Sequence, residues 1–218
     1  MNNQWSWQQI LLIFLILSLL SIRFQILTDD EMDNLLQLIK TQKTVFSFQE
    51  LKTILQIPSE AGLKSFLQRA KHNKALTNPY RGFRALPNYN TWELACKIKP
   101  QAYISGETVL FQEGVFFQFY NNTVSCISNN TRSYIIDEKP FIYYKIKDSI
   151  LHNDIGIRIH GTHRVATPER ALCDYIYLNP RAGIDAPESI NQTRLEDILP
   201  FYPKTTILAI QKLLNVQH

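Results

Sequence analysis

The strongest constraint on the fold is a pair of short helices between Ser47 and Leu86, each opened by a capping residue and closed by a turn. Ser47-Phe48-Gln49-Glu50 has the form of a capping box, in which the Ser47 side chain accepts from the amide three residues on and Glu50 reaches back to the amide of Ser47. Phe48, Leu51, Ile54 and Leu55 then recur at helical spacing. Ile57-Pro58 stops that helix, because the residue before a proline is driven out of the α region. Ser59 can cap the next one. There Leu63, Phe66, Leu67 and Ala70 share the buried face, while Lys64, Gln68 and Lys71 share another, with Ser65 and His72 at its edge.

After Lys74 the segment Ala75 to Leu86 carries turn residues in its middle and alternates afterwards, Phe83 and Ala85 lying opposite Arg84. This predicts a β-hairpin, and the whole stretch then reads as a winged helix-turn-helix. A cationic, amide-bearing helix face suits the major groove of DNA, where Lys and Gln can bond base edges or phosphates. A merely solvated face is the alternative. Charge favours nucleic acid: residues 32 to 91 hold nine Lys or Arg against Asp33, Glu50 and Glu60, a net +6, out of a formal +4 for the chain. The expected DNA contacts are Lys64, Ser65, Gln68 and Lys71 at the major groove, and Arg69, Arg81 and Arg84 on the backbone or minor groove.

A length of 218 residues, 45% of them hydrophobic, accommodates two small domains. The expected boundaries are 32–90 for the helical module and 91–218 for the remainder. Residues 1–31 stand apart. Ile10 to Ile22 is an apolar run broken only by Ser18 and Ser21, with Trp5 and Trp7 before it and Arg23 after. A signal peptide would carry a basic residue ahead of the run and a small-x-small cleavage site, which are missing. A membrane anchor would need about 18–20 apolar residues. A translation start placed too far upstream is the reading placed first, with Met32 as the only internal methionine, although Thr28-Asp29-Asp30-Glu31 is itself a capping box and predicts a helix from Thr28. The expected location is the cytoplasm, or a membrane surface if residues 10–22 are a true anchor, in which case the alternative is a membrane-tethered or secreted binding protein whose helical module contacts protein. Three cysteines, odd in number and far apart, match neither a disulfide framework nor a metal-ligand spacing. Three sequons, at Asn121, Asn129 and Asn191, would matter only in a eukaryotic secretory pathway.

Beyond Pro87-Asn88-Tyr89-Asn90 the texture changes. A helix capped by Thr91 ends before Pro100, and a further one, capped by Ser105, runs to a left-handed stop at Gly114. From Val115 to Ala166, aromatic and β-branched runs predict strands at 115–120, 123–128, 132–137, 141–147, 156–160 and 163–166. Thr167-Pro168-Glu169 opens a helix with proline at its first position, and two short helices follow near 194–199 and 204–214. The expected fold class is α+β: an N-terminal winged helix-turn-helix, then a mixed α+β domain with an antiparallel or mixed sheet.

No phosphate loop, nucleophile elbow or Cys-His pairing is visible, so neither an enzyme nor a cofactor is expected. His160 and His163, with Glu169 downstream, lack the spacing of a metal site and read as strand-edge residues. Glu169, Arg170 and Asp174 read as a charged face on a helix whose other face is apolar, Arg170 and Asp174 being spaced to pair.

Tyr80-Arg81-Gly82-Phe83-Arg84, then Tyr103-Ile104-Ser105 with Leu110 and Gly114-Val115, then Val165-Ala166-Thr167-Pro168-Glu169-Arg170-Ala171-Leu172-Cys173-Asp174, resemble in order and spacing the AbiEi-like antitoxins, over about residues 32 to 180. The resemblance implies an antitoxin whose winged helix binds inverted repeats in its own operon's promoter and represses it. It also implies a second domain that counteracts a nucleotidyltransferase-like toxin, with Glu169, Arg170 and Asp174 as its site residues. The leader falls outside the family pattern, and Phe83 stands where an aliphatic residue followed by Tyr is more usual.

Overall fold

The computed structural model describes residues 28–117 and 122–215. The apolar run at 10–22, Asn121 and part of the strand expected over 115–120 lie outside them. Among the described residues no helix is long and apolar enough to cross a membrane. The chain divides into two compact units, one comprising the residues up to Asn78 with Gly82–Pro87, the other Pro79–Arg81 with Asn88 onward.

Among the described residues the first unit has three helices and a small sheet. Helix α1 (Asp29–Lys40) opens on Thr28, whose side chain and that of Glu31 form a reciprocal capping box. Strand β1 (Val45–Ser47) leads into α2 (Phe48–Leu55), capped by the same arrangement between Ser47 and Glu50. Gln56, left-handed at φ 49°, ends α2, and Ser59 caps α3 (Glu60–His72) through the amide of Gly62. Leu38, Phe46, Leu51, Leu63, Phe66 and Leu76 are buried in one shared core. Burying six such side chains is worth on the order of 10 kcal/mol before entropy is counted. The segment expected as a hairpin is organised differently: β2 (Phe83–Ala85) pairs antiparallel with β1, and the returning arm contributes a single bridge, Thr77 to Ala85.

The second unit is an α+β fold around a six-stranded mixed sheet of order β5-β6-β4-β3-β8-β7. Its strands are β3 (Tyr103–Ile104), β4 (Val124–Ser128), β5 (Arg132–Ile136), β6 (Lys139–Lys145), β7 (Ile157–His160) and β8 (His163–Ala166). Parallel pairs β4–β6 and β3–β8 alternate with antiparallel ones. Helix α4 (Thr91–Ile98) packs against β3, β4 and β8. Helix α5 (Glu107–Gln112) packs against β4 and α7 (Pro168–Leu178), and α7 also meets α8 (Gln192–Ile198) and α9 (Lys204–Asn215). A short helix α6 (Asp148–Leu151) precedes β7.

Three local expectations are corrected. The cap of α4 is Asn90, whose carboxamide oxygen accepts from the amides of Trp92 and Glu93, so Thr91 is already helical. Ser105 does not cap α5: Gly106 holds the cap position at φ 60°, and Ser105 is turned inward. Val115 to Phe117 form no strand; their backbone is taken by the 185–186 segment, with Asp185 and Ala186 amides donating to Val115 O and the Asp185 carboxylate accepting from Phe117 N.

Candidate functional site

The basic face of α3 is open. Lys64, Ser65, Gln68 and Lys71 are exposed on the helix whose Leu63, Phe66, Leu67 and Ala70 are buried. Lys64 pairs with Glu60 one turn earlier at 2.7 Å, a contact exposed at both ends and therefore easily exchanged for another anion. Arg69 is exposed as well, and its Nε meets the Glu31 carboxylate, which is 4% exposed, tying α3 to the first turn of α1. Arg84 is half-buried with its guanidinium donating to Phe83 O at 3.1 Å. Arg81 is exposed in the loop that groups with the second unit, where its neighbour Tyr80 meets the Tyr134 ring edge-on at 5.3 Å.

The second set, Glu169, Arg170 and Asp174, is not a surface face. Their exposures are 2%, 0% and 0%. The reason lies in the rest of α7, where Ala171, Leu172, Cys173 and Ile176 are buried as well: a helix apolar on all sides is enclosed, and its charges go inward with it.

Arg170 is met almost completely by oxygen. One terminal nitrogen donates to Asn153 O at 3.1 Å and Ile155 O at 2.8 Å, the other to Ile150 O at 2.7 Å and the Tyr103 hydroxyl at 2.9 Å. Its Nε lies 3.5 Å from the Asp174 carboxylate. Asp174 accepts from Ser105 Oγ at 2.7 Å, from the Tyr103 hydroxyl at 3.3 Å and from the Tyr202 hydroxyl. Burial pushes the Asp174 carboxyl up, while Arg170 and the three hydroxyls pull it back. Burial, then the Asp174 charge, raises both tyrosines, so they stay protonated and donate. Gly156, at φ 76°, is required here: a Cβ would fall 2.8 Å from Arg170 Cβ and 2.9 Å from Ile198 Cδ1. The cluster thus joins β3, the 150–156 loop, α7 and the turn at Tyr202. With both charged side chains fully buried, its work is to hold these pieces together.

Glu169 points elsewhere, accepting from the amide of Asn191 at 3.3 Å. His160 and His163 stand with ring centroids 5.5 Å apart, and His163 is buried edge-on to Trp92. Burial, and then the nearby His160, lowers the His163 pKa against an upward pull from Glu93. Among the described residues no group of three or more His, Cys, Asp or Glu is placed to hold a metal ion.

Ser105, Tyr103 and Tyr202 escaped the sequence reading because their partner lies 69, 71 and 28 residues away. One signal was available. The lone Asp174 inside Ala-Leu-Cys-Asp-Tyr-Ile is an ionisable group with apolar neighbours on every side, the pattern of a buried charge that needs partners.

No family model and no curated protein matches this chain. Among solved structures, the crystal structure of the RV2827C protein from Mycobacterium tuberculosis is similar, with a TM-score of 0.51 and 15% identity, covering 83% of this chain and 74% of that one. At that identity the likeness concerns the fold alone.

Proposed function

We propose that this chain is an antitoxin that also binds the promoter of its own operon and represses it, the first unit being a winged helix-turn-helix module with α3 as its recognition helix. The observation that carries the reading is the division of α3 into a buried apolar face and an open face bearing Lys64, Ser65, Gln68 and Lys71. The net +6 of residues 32–91 supports a polyanion as partner. The resemblance of the Tyr80–Arg84 and Val165–Asp174 segments to AbiEi-like antitoxins supports the operon context, with a nucleotidyltransferase-like toxin as the functional counterpart and the cytoplasm as the location. In this reading Arg69 positions α3 through Glu31, and Arg170 with Asp174 supports the second unit from within.

Fluorescence anisotropy with a labelled promoter fragment, together with co-expression against the neighbouring toxin, tests it. Lys64→Ala with Lys71→Ala should abolish repression and leave toxin neutralisation intact. Undiminished promoter affinity in that variant would overturn the recognition face, and unchanged toxicity with the wild-type chain present would overturn the antitoxin role.

A further inference from the structure

The second unit contains another set of polar groups, adjoining the Arg170 cluster at Ser105 but facing an opening. At the start of α5 a narrow hollow of about 20 Å³ is lined by Gly106, Glu107, Ser125, Tyr144, Tyr175 and Leu178. It shares Glu107, Tyr175, Leu178 and Asn179 with a wider cleft of about 540 Å³ that reaches Arg181. That volume is within the range of small-molecule sites, about 300–1,000 Å³. The inner hollow admits only a head group about the size of a water molecule.

Three of the lining groups are uncommitted. Ser125 is 2% exposed, and its Oγ has no hydrogen-bond partner, although its backbone is fully engaged with Thr108 Oγ1 and the amide of Ser105. Glu107 is half-buried and, among the described residues, its carboxylate makes no hydrogen bond or ion pair. Burial raises its pKa. Tyr144, also half-buried, pairs through its backbone in the sheet, but its hydroxyl makes no hydrogen bond among the described residues; burial and then the charge of Glu107 raise the pKa of that hydroxyl, so the two groups are within electrostatic reach. A half-buried carboxylate without a partner weakens a fold, and such groups in a cleft gather at binding sites. Gly106 leaves the entrance clear, since a Cβ there would meet nothing within 4 Å.

The chemistry of the vacant acceptors selects the ligand. A carboxylate and two hydroxyl oxygens offer three acceptors, and a primary ammonium has three donors and no acceptor. We propose that this cleft binds a small primary amine, its ammonium seated between Glu107, Ser125 and Tyr144, its apolar stem on Tyr175 and Leu178, and an anionic end, where the ligand has one, on the side of Arg181. Arg181 is exposed at the wide end. The site is independent of promoter binding and goes beyond it.

Amide NMR titration of the full chain at fixed pH and ionic strength tests this with three probes: butylamine, 4-aminobutanoate and butanoate. Both amines should give saturable shifts at Gly106, Glu107, Ser125 and Asn179, with 4-aminobutanoate the tighter, and butanoate should give none. Glu107→Gln, close in shape to the wild type, should weaken both amines about tenfold or more, the loss of one charge-assisted bond. Tyr144→Phe should weaken them less, and Arg181→Ala should remove the advantage of 4-aminobutanoate. Absence of saturable shifts with either amine, equal shifts with butanoate, or unchanged affinity in both Glu107→Gln and Tyr144→Phe would overturn the proposal.

Discussion

Arg170 and Asp174 stand one turn apart on α7, both fully buried, with the guanidinium Nε 3.5 Å from the carboxylate, and each compensates the charge of the other. Breaking a buried pair from one side leaves a charge without compensation, which costs about 3–5 kcal/mol. Asp174→Ala is therefore expected to lower unfolding stability by about that amount. Arg170→Met should cost at least as much, because it also strips the donor from Ile150, Asn153 and Ile155 carbonyls. Urea unfolding followed by circular dichroism measures both, and a loss below about 1 kcal/mol in each would contradict the buried-network description.

Arg69 is expected to act on stability more than on DNA. Its guanidinium is more than half exposed, but Glu31 is buried, so Arg69→Ala leaves that carboxylate poorly matched. After allowance for solvent screening the cost is about 1 kcal/mol. Promoter affinity extrapolated to full folding should change little beside the effect of Lys64→Ala. An affinity loss in Arg69→Ala equal to that of Lys64→Ala, at undiminished stability, would return Arg69 to the DNA.

Salt dependence separates phosphate contacts from base contacts on α3. Each lysine that neutralises a phosphate contributes about 0.9 to the slope of log affinity against log salt. If Lys64 and Lys71 both hold phosphates, their double alanine variant should lower the slope by about 1.8. Gln68→Ala should reduce affinity without changing the slope. Anisotropy titrations across a salt series give both numbers.

His163 makes the second unit sensitive to acid. Burial lowers its folded pKa below the ordinary value of about 6.5, so the unfolded chain takes up the proton first. Stability from this group is fully present above about pH 6.5 and is lost as pH falls through the window between the unfolded and folded values. His160, Glu93 and Trp92 are the neighbours that tune it. His163→Phe keeps an aromatic edge toward Trp92 and should flatten the fall in melting temperature on acidification. An unchanged pH profile in that variant would assign the sensitivity elsewhere.

Most signals confined to four consecutive residues were legible in the sequence; one exception is Thr91, where the neighbouring Asn90 takes the cap. The boxes at Thr28 and Ser47, the cap at Ser59 and the Thr167-Pro168 helix start are all present as read, because capping joins groups three residues apart and needs nothing from the rest of the chain. Where a distant partner competed, local rules failed. Ser105 has the chemistry of a cap but is claimed by Asp174, and Val115 has the texture of a strand but gives its carbonyl to residues 185 and 186. The basic face of α3 followed from helical periodicity alone. The inward turn of Glu169, Arg170 and Asp174 did not, because their spacing is the same on a surface helix as on a buried one. The Glu107 cleft was invisible for a further reason: it is defined by what its groups lack.

The six-stranded sheet is continuous only through β3, two residues long. To one side lie β4, β6 and β5, to the other β8 and β7, and the outer antiparallel pairs β5–β6 and β7–β8 are close in sequence. Such hairpins can form early, since closing a short loop costs little entropy. Tyr103 and Ile104 join the two sides, since Ile104 aligns with Cys126 of β4 on one flank and Val165 of β8 on the other, and they complete their pairing only when both flanks are in place. The amide protons of these two residues should therefore behave as a lock that turns last in assembly and first in unravelling, reporting in hydrogen exchange on the integrity of the whole unit.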